Sequence, residues 1–213
     1  MIELDHELLL LVNGMHTDYL DALMWYISAK LVWVPFYLIT LWVVWKNYGW
    51  KGILHILLMV GVMVIFADAI NSSIIRPIFH RLRPANLDSP VGDMVHVVNG
   101  YRGGKYGFPS AHAANYCGLS WIIWYFLRSR KVAVSLILLT AVICYSRSYL
   151  GVHYPGDLAA GIIYSTAVML LIMFLHNKYF PLKRPEPLKY DWLIGATALL
   201  SIISFALVAL FDI

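Results

Sequence analysis

A chain of 213 residues with 61% hydrophobic and only 13% charged side chains is too apolar for an ordinary soluble domain and reads as a membrane protein. The formal net charge of +4 would suit a nucleic-acid partner, but the basic residues sit at the ends of apolar runs and in three short polar islands rather than in one patch, which argues against nucleic acid. Cys117 and Cys144 each lie in an apolar run where a small hydrophobe would serve equally well, so no structural disulfide is expected.

At the start of the chain, Ile2, Leu8, Leu9, Leu10, Leu11 and Val12 are mixed with Glu3, Asp5, His6 and Glu7. That mixture suits a short helix lying in the membrane interface, the alternative being a frayed terminus. Met1 to Gly14 lacks a basic region followed by an apolar core and a small-residue cleavage site, so no removable signal peptide is read there.

Crossing the hydrocarbon takes about 20 mostly apolar residues as helix. Six stretches qualify, near 22–45, 53–74, 110–127, 132–149, 157–177 and 192–211. The expected fold is therefore all-α: one polytopic helical-bundle domain over 1–213, with six transmembrane helices and an N-terminal interfacial helix. Six spans put Lys46, Lys51, Arg128, Arg130, Lys131, Lys178, Lys183, Arg184 and Lys189 on one side, and the positive-inside rule makes that side cytoplasmic. Both termini and the loop from about 75 to 109 then face outward. Pro84, Pro90, Gly92, Gly100, Gly103, Gly104 and Gly107 punctuate that loop, which is long for a compact bundle, and loops of such length are usually functional or disordered.

Three polar islands emerge on the same outward side. They are Arg76-Pro-Ile-Phe-His-Arg-Leu-Arg83-Pro84 after the second span, Phe108-Pro109-Ser110-Ala111-His112 opening the third, and Ser146-Arg147 through His153 to Asp157 between the fourth and fifth. Together they resemble the signature of the type 2 phosphatidic acid phosphatase family, K-x6-R-P, P-S-G-H and S-R-x5-H-x3-D. The third element matches through Ser146, Arg147, His153 and Asp157; the first has Arg76 in place of Lys, and the second has Ala111 in place of Gly. The motif core runs from about 76 to 157, and the last helix, about 192–211, lies beyond it.

Phosphoryl transfer chiefly needs positioning and charge stabilisation on the equatorial oxygens. Arg76, Arg83 and Arg147 can each offer a planar fork of donors to a phosphate. Ser110 adds a hydroxyl, and it and Ala111 sit where the free N–H groups of a helix start form an anion site. The resemblance implies that His153 is the nucleophile, that Asp157 holds its other ring nitrogen, and that His112 protonates the leaving oxygen and later activates water. This scheme needs no metal and no cofactor.

Singly, these residues have ordinary explanations. Asp157 before an apolar run suits a helix N-cap, Arg76 and Arg83 suit snorkelling to head groups, and lone interfacial histidines are common. Their spacing in conjunction carries the functional reading. His80, His96, Arg102 and Lys105 are expected to be solvated loop residues, and Lys30 and Asp68 are expected, if anything, to pair without a catalytic role. Trp121, Trp124 and Tyr125 read as packing or interfacial belt.

The resemblance implies hydrolysis of a phosphate monoester or diphosphate on a membrane lipid, at the extracytoplasmic face of a bacterial inner membrane. Undecaprenyl diphosphate, phosphatidylglycerol phosphate, phosphatidate and the lipid A disaccharide are the candidates. A lipid-to-lipid phosphotransferase with the same site, or an anion transporter, is the alternative. The vanadium-dependent haloperoxidases that share the anion pocket are disfavoured because they are soluble.

Overall fold

The computed structural model describes residues 2–212. Among them the chain is helical, without sheet strands; a single antiparallel bridge joins Leu82 and Tyr106. The helices are α1 (Ile2–Asn13), α2 (Asp18–Ser28), α3 (Val34–Val64), α4 (Arg76–Phe79), α5 (Ala111–Leu127), α6 (Arg130–Tyr149), α7 (Pro155–Tyr179) and α8 (Trp192–Ala209). Between α3 and α4 the residues Ile65–Ile75 wind as a π-helix. Among the described residues, four segments are long and apolar enough to cross a membrane, Leu31–Phe79, Arg130–Tyr149, Pro155–Tyr179 and Trp192–Ala209. Their large outward side chains, among them Leu57, Ile137, Ile163, Leu171, Phe174 and Leu199, are exposed, as expected for a surface facing lipid.

The stretch expected as one span over 22–45 is instead broken. Helix α2 ends at Ser28, where Ala29 turns to an extended backbone at φ −76°, ψ 131°, and the indole N–H of Trp33 donates to the Ile27 carbonyl at 2.9 Å. A short tight turn, Leu31–Trp33, then leads into α3. Within α3, Gly49 adopts φ 64°, ψ −159°, a backbone that favours glycine and cannot continue a helix.

The chain reverses there. Before Gly49, the Tyr37 hydroxyl meets that of Tyr116 at 3.2 Å and the Tyr48 hydroxyl donates to the Phe126 carbonyl at 2.6 Å, so this arm runs parallel to α5. After it, the chain returns until Asn71 Nδ2 reaches the Pro109 carbonyl at 3.2 Å, at the opposite end of α5. The return brings Arg76 back to the level at which α5 begins.

Helix α7 packs closely on α5. A Cβ on Gly161 would lie 2.5 Å from the Ser110 carbonyl, so only glycine permits this approach, and the Ser165 hydroxyl donates across the same interface to the Ala114 carbonyl at 2.7 Å. The N-terminal ends of both helices are thereby held side by side.

The long loop between α4 and α5 is folded down on this junction. Backbone bonds run from Ala85 N to the Gly151 carbonyl at 2.9 Å, from Arg83 N to Lys105 at 3.1 Å and from Gly107 N to Arg81 at 2.9 Å. Helix α1 clasps it from above: Leu9 is fully buried against Ala85, Val91, Val95 and Tyr154. The Asn13 amide donates to the carbonyls of His96 at 2.9 Å and Tyr149 at 2.7 Å, and its oxygen accepts from His96 N at 2.8 Å. His96, expected as a solvated residue, is half-buried and structural, whereas Arg102 is exposed as expected and still ties the loop to itself. His96 stacks on His16 and bonds Asp21 at 2.6 Å, while Arg102 donates to the Ala85 carbonyl at 2.6 Å.

Replacing the buried Asn13 by leucine keeps the volume and strands three backbone groups. At about 1 kcal/mol or more for each group, Asn13→Leu should lower unfolding free energy by about 3 kcal/mol, read as a fall in denaturation midpoint in detergent. Unchanged stability would show that α1 does not brace the loop.

Candidate active site

The site is built where the two helix starts meet. Ser110 caps α5, its hydroxyl oxygen accepting the Ala113 N–H at 3.4 Å, while its own N–H donates to the Asp157 carbonyl at 2.9 Å. The N–H groups of Ala111 and His112, in the first turn, have no carbonyl a turn behind them and point out of the helix end. Pro155 starts α7, and Asp157, fully buried in its first turn, reaches back with Oδ2 to accept the Tyr154 N–H at 3.1 Å. Asp157 thus serves the helix start as well as the site.

Between these ends lies His153, fully buried in the turn before α7. Its Nε2 is 2.9 Å from Arg83 Nη1, and its Nδ1 is 3.5 Å from Asp157 Oδ2, longer than a formed hydrogen bond. A guanidinium only donates, so Nε2 must accept and the ring proton sits on Nδ1, facing the carboxylate. Arg83 Nη1 also donates to the Val152 carbonyl at 2.9 Å. Gly107 closes the group from the long loop: a Cβ there would stand 3.0 Å from Asp157 Oδ2 and 3.1 Å from Arg83 Cγ.

Of the other residues expected at the site, Arg76 reaches it through Nη2, 3.4 Å from the Pro109 carbonyl. Arg147 is almost fully buried at the end of α6 and donates through Nη1 to the Ser28 hydroxyl of α2. The Nε atoms of Arg76, Arg83 and Arg147 are all buried without a partner, leaving donors unsatisfied around His153. His112 sits half-buried in the first turn of α5.

One site residue escaped the sequence. Arg81 donates through Nη1 to Asp157 Oδ1 at 2.7 Å and through Nη2 to Asp5 of α1, and its guanidinium lies 4.4 Å from the centre of the Tyr154 ring. Asp5 also accepts the Gly156 N–H at 2.7 Å. No spacing rule signals an ion pair across 76 residues; the only hint was a third arginine between the two that fit the motif.

Cations dominate the electrostatics. Burial and then the charges of Arg76 and Arg147 push the Arg83 guanidinium down to about 10, which leaves it charged at neutral pH. Burial, then Arg83 and Arg147, hold the His153 imidazole well below the ordinary histidine value of 6.5, so it is neutral. A neutral imidazole with its proton fixed on Nδ1, among unsatisfied guanidinium donors, is equipped to attack an anion that the guanidiniums bind. Among the described residues no group of three or more His, Cys, Asp or Glu is arranged to hold a metal.

The chain is similar to known proteins in both sequence and fold. The PAP2 superfamily model matches residues 52–181. A lipid A 4'-phosphatase of Bacteroides thetaiotaomicron is 40% identical over 176 residues, covering 83% of this chain and 78% of that protein. A second lipid A 4'-phosphatase, from Porphyromonas gingivalis, is 35% identical over 162 residues, covering 76% and 68%. In fold, the chain is similar to a transmembrane PAP2-type phosphatidylglycerolphosphate phosphatase from Bacillus subtilis, with a TM-score of 0.63 at 21% identity over 85% of this chain and 88% of that one.

Two measurements probe the site directly. In 15N-histidine NMR of detergent-solubilised protein, the His153 ring should stay neutral at pH 6.5, and Arg83→Met, by removing a repelling cation, should raise its midpoint. Arg81→Gln, which strips Asp157 of its ion pair, should lower kcat/KM about 10- to 100-fold in a phosphate-release assay, whereas wild-type rates would reduce Arg81 to a surface contact.

Proposed function

The chain belongs to the PAP2 superfamily, and from that premise we propose that it removes the 4'-phosphate of a lipid A disaccharide at the extracytoplasmic face of a bacterial inner membrane. It is a membrane-embedded phosphoric ester hydrolase of PAP2 type. The observation that carries the mechanism is the contact of Arg83 with His153 Nε2, which leaves the ring proton facing Asp157. The choice among lipids rests on the two curated relatives.

The phosphate enters among Arg76, Arg83, Arg147, the Ser110 hydroxyl and the N–H groups of Ala111 and His112. Arg83 turns from Nε2 to a phosphate oxygen and frees the lone pair. Nε2 attacks phosphorus, the P–O bond to the sugar breaks, and His112 gives its proton to the departing oxygen. The dianion beside His112 favours its protonated form until that transfer. Asp157 stabilises the charge that appears on His153 through the Nδ1 proton. His112 then takes a proton from water, which attacks the phosphohistidine, breaks the P–N bond and releases phosphate. No step calls on a metal.

The proposed setting is a single domain over 1–213 with six spans. Gly49 divides Leu31–Phe79 into two arms that run in opposite directions beside α5, and α5, at 17 residues, supplies a further crossing. Exposed Ile2, Leu4, Leu8 and Leu11 suit α1 to the membrane interface on the side where the site opens. The basic loops lie at the other end of the helices, which supports an outward-facing site. In this setting the cleaved bond is wet while the acyl chains stay among the helices.

Phosphate release by purified protein in detergent with chelator present tests the reading. The phosphorylated disaccharide should be the best of the four candidate lipids, and release should fall by at least about 10³-fold in His153→Asn. His112→Gln should slow turnover about 10²- to 10⁴-fold, and an alkaline quench should recover labelled phosphoenzyme from the wild type and none from His153→Asn. Equal release by His153→Asn sinks the nucleophile assignment, and no release from any of the four lipids sinks the reading as a whole.

A further inference from the structure

A cavity of about 430 Å³ opens between the two arms of α3 and α5, within the size range of ligand sites. Most of its wall is apolar, with Leu41, Leu57 and Ile123 far from the catalytic end. Its other lining residues include Lys30, Asp68 and Asn115. Asn115 stands one turn into α5 from His112, and Asp68 lies on the π-helical stretch that leads through Asn71 to Arg76. The polar end of the cavity therefore continues the phosphate site toward the membrane interior.

These groups are loosely satisfied. Lys30 Nζ and Asp68 Oδ2 are 4.0 Å apart, the outer limit of an ion pair, with side chains 54% and 39% exposed. Asn115 Nδ2 donates to the same carboxylate at 3.1 Å, but its Oδ1 is buried with no partner, and so is that of Asn71. Ionisable side chains at membrane depth are costly, and an unpartnered buried amide oxygen adds to that cost. The π-helix is a further departure from regular structure, of a kind frequent at functional sites.

We infer that Lys30, Asp68 and Asn115 form a subsite for the sugar portion of the substrate, recognising the amide or hydroxyl groups between the scissile phosphate and the acyl chains. The inference rests on the disaccharide reading above and deepens it. The cluster presents the Asp68 carboxylate as acceptor, held from behind by the Asn115 amide, together with one cationic donor. Its ligand must therefore offer N–H or O–H donors close to the phosphate, as an acylated amino sugar does. A diacylglycerol phosphate brings only ester acceptors there, and a polyprenyl chain brings neither. Phosphatidylglycerol phosphate has a single hydroxyl on a flexible glycerol. The cluster therefore selects among lipids that the phosphate pocket treats alike.

The test compares kcat/KM for a 4'-phosphorylated, acylated glucosamine disaccharide and for phosphatidate in mixed micelles, using wild type, Asn115→Leu and Asp68→Asn. Each substitution should lower the ratio of disaccharide to phosphatidate about tenfold, chiefly through KM for the disaccharide, the effect of losing one good polar contact. The two variants alter different side chains, so a folding defect in one leaves the other to decide. A wild-type preference that survives both substitutions, or a parallel loss on both lipids, overturns the subsite alone. A wild type with no preference for the disaccharide overturns the substrate reading as well.

Discussion

The buried carboxylate of Asp157 is the point through which the separate parts of the site are joined. Its main-chain oxygen holds Ser110 and hence the start of α5; one carboxylate oxygen takes Arg81 and the other takes the Tyr154 N–H and faces His153. A charge removed from water is tolerable only when it is paired and hydrogen-bonded, so Arg81 and the Tyr154 N–H are held in place along with the carboxylate. Arg81 passes the constraint on to Asp5 and α1, so the first helix is part of the active-site frame even though it carries no catalytic group. The Gly161 contact makes the arrangement reachable, since any side chain there would push α7 off α5 and separate Asp157 from Ser110.

Around that frame the protein carries an excess of positive charge that is incompletely paired within the chain. Three guanidiniums share the neighbourhood of His153 with buried Nε donors unsatisfied, an arrangement that destabilises the fold and favours whatever anion can satisfy them. Burial and then the same charges keep His153 neutral, as a nucleophile needs, so in the proposed mechanism one set of residues both binds the phosphate and prepares the attacking nitrogen. Substituting lysine for any of these arginines would keep the charge but lose the planar fork.

Much of this could be read in the sequence because phosphate chemistry restricts residue types over short spacings. Arg76, Arg83, Ser110, His112, Arg147, His153 and Asp157 were all named from motifs, and the expectation that their segments emerge at one end of the bundle matches their convergence. Other features left no such trace. Arg81 and Asp5 are linked only through three-dimensional proximity, and His96 and Arg102 looked like loop residues because their acceptors, Asp21 and a loop carbonyl, are revealed only by folding. Hydropathy smoothed over the break at Ala29 and gave no hint that Ile65–Ile75 would wind as a π-helix, because apolar composition records burial in lipid and not backbone conformation.

The division between shared and particular features follows from where each part of a lipid phosphate lies. A terminal phosphate is common to every candidate substrate, and the residues proposed to meet it are the ones whose types and spacings the family resemblance covers. At 21% identity the Bacillus subtilis phosphatase still shares the helical fold. What differs among these lipids begins just beyond that phosphate, at the atoms that join it to the lipid tail, and in the proposed setting those atoms lie between the aqueous phosphate site and the hydrocarbon. Only side chains at the ends of spans, beside the phosphate but already within the bundle, can read them. Lys30, Asp68 and Asn115 occupy that position, and the cost of keeping polar groups there is itself the reason to look for substrate recognition among them.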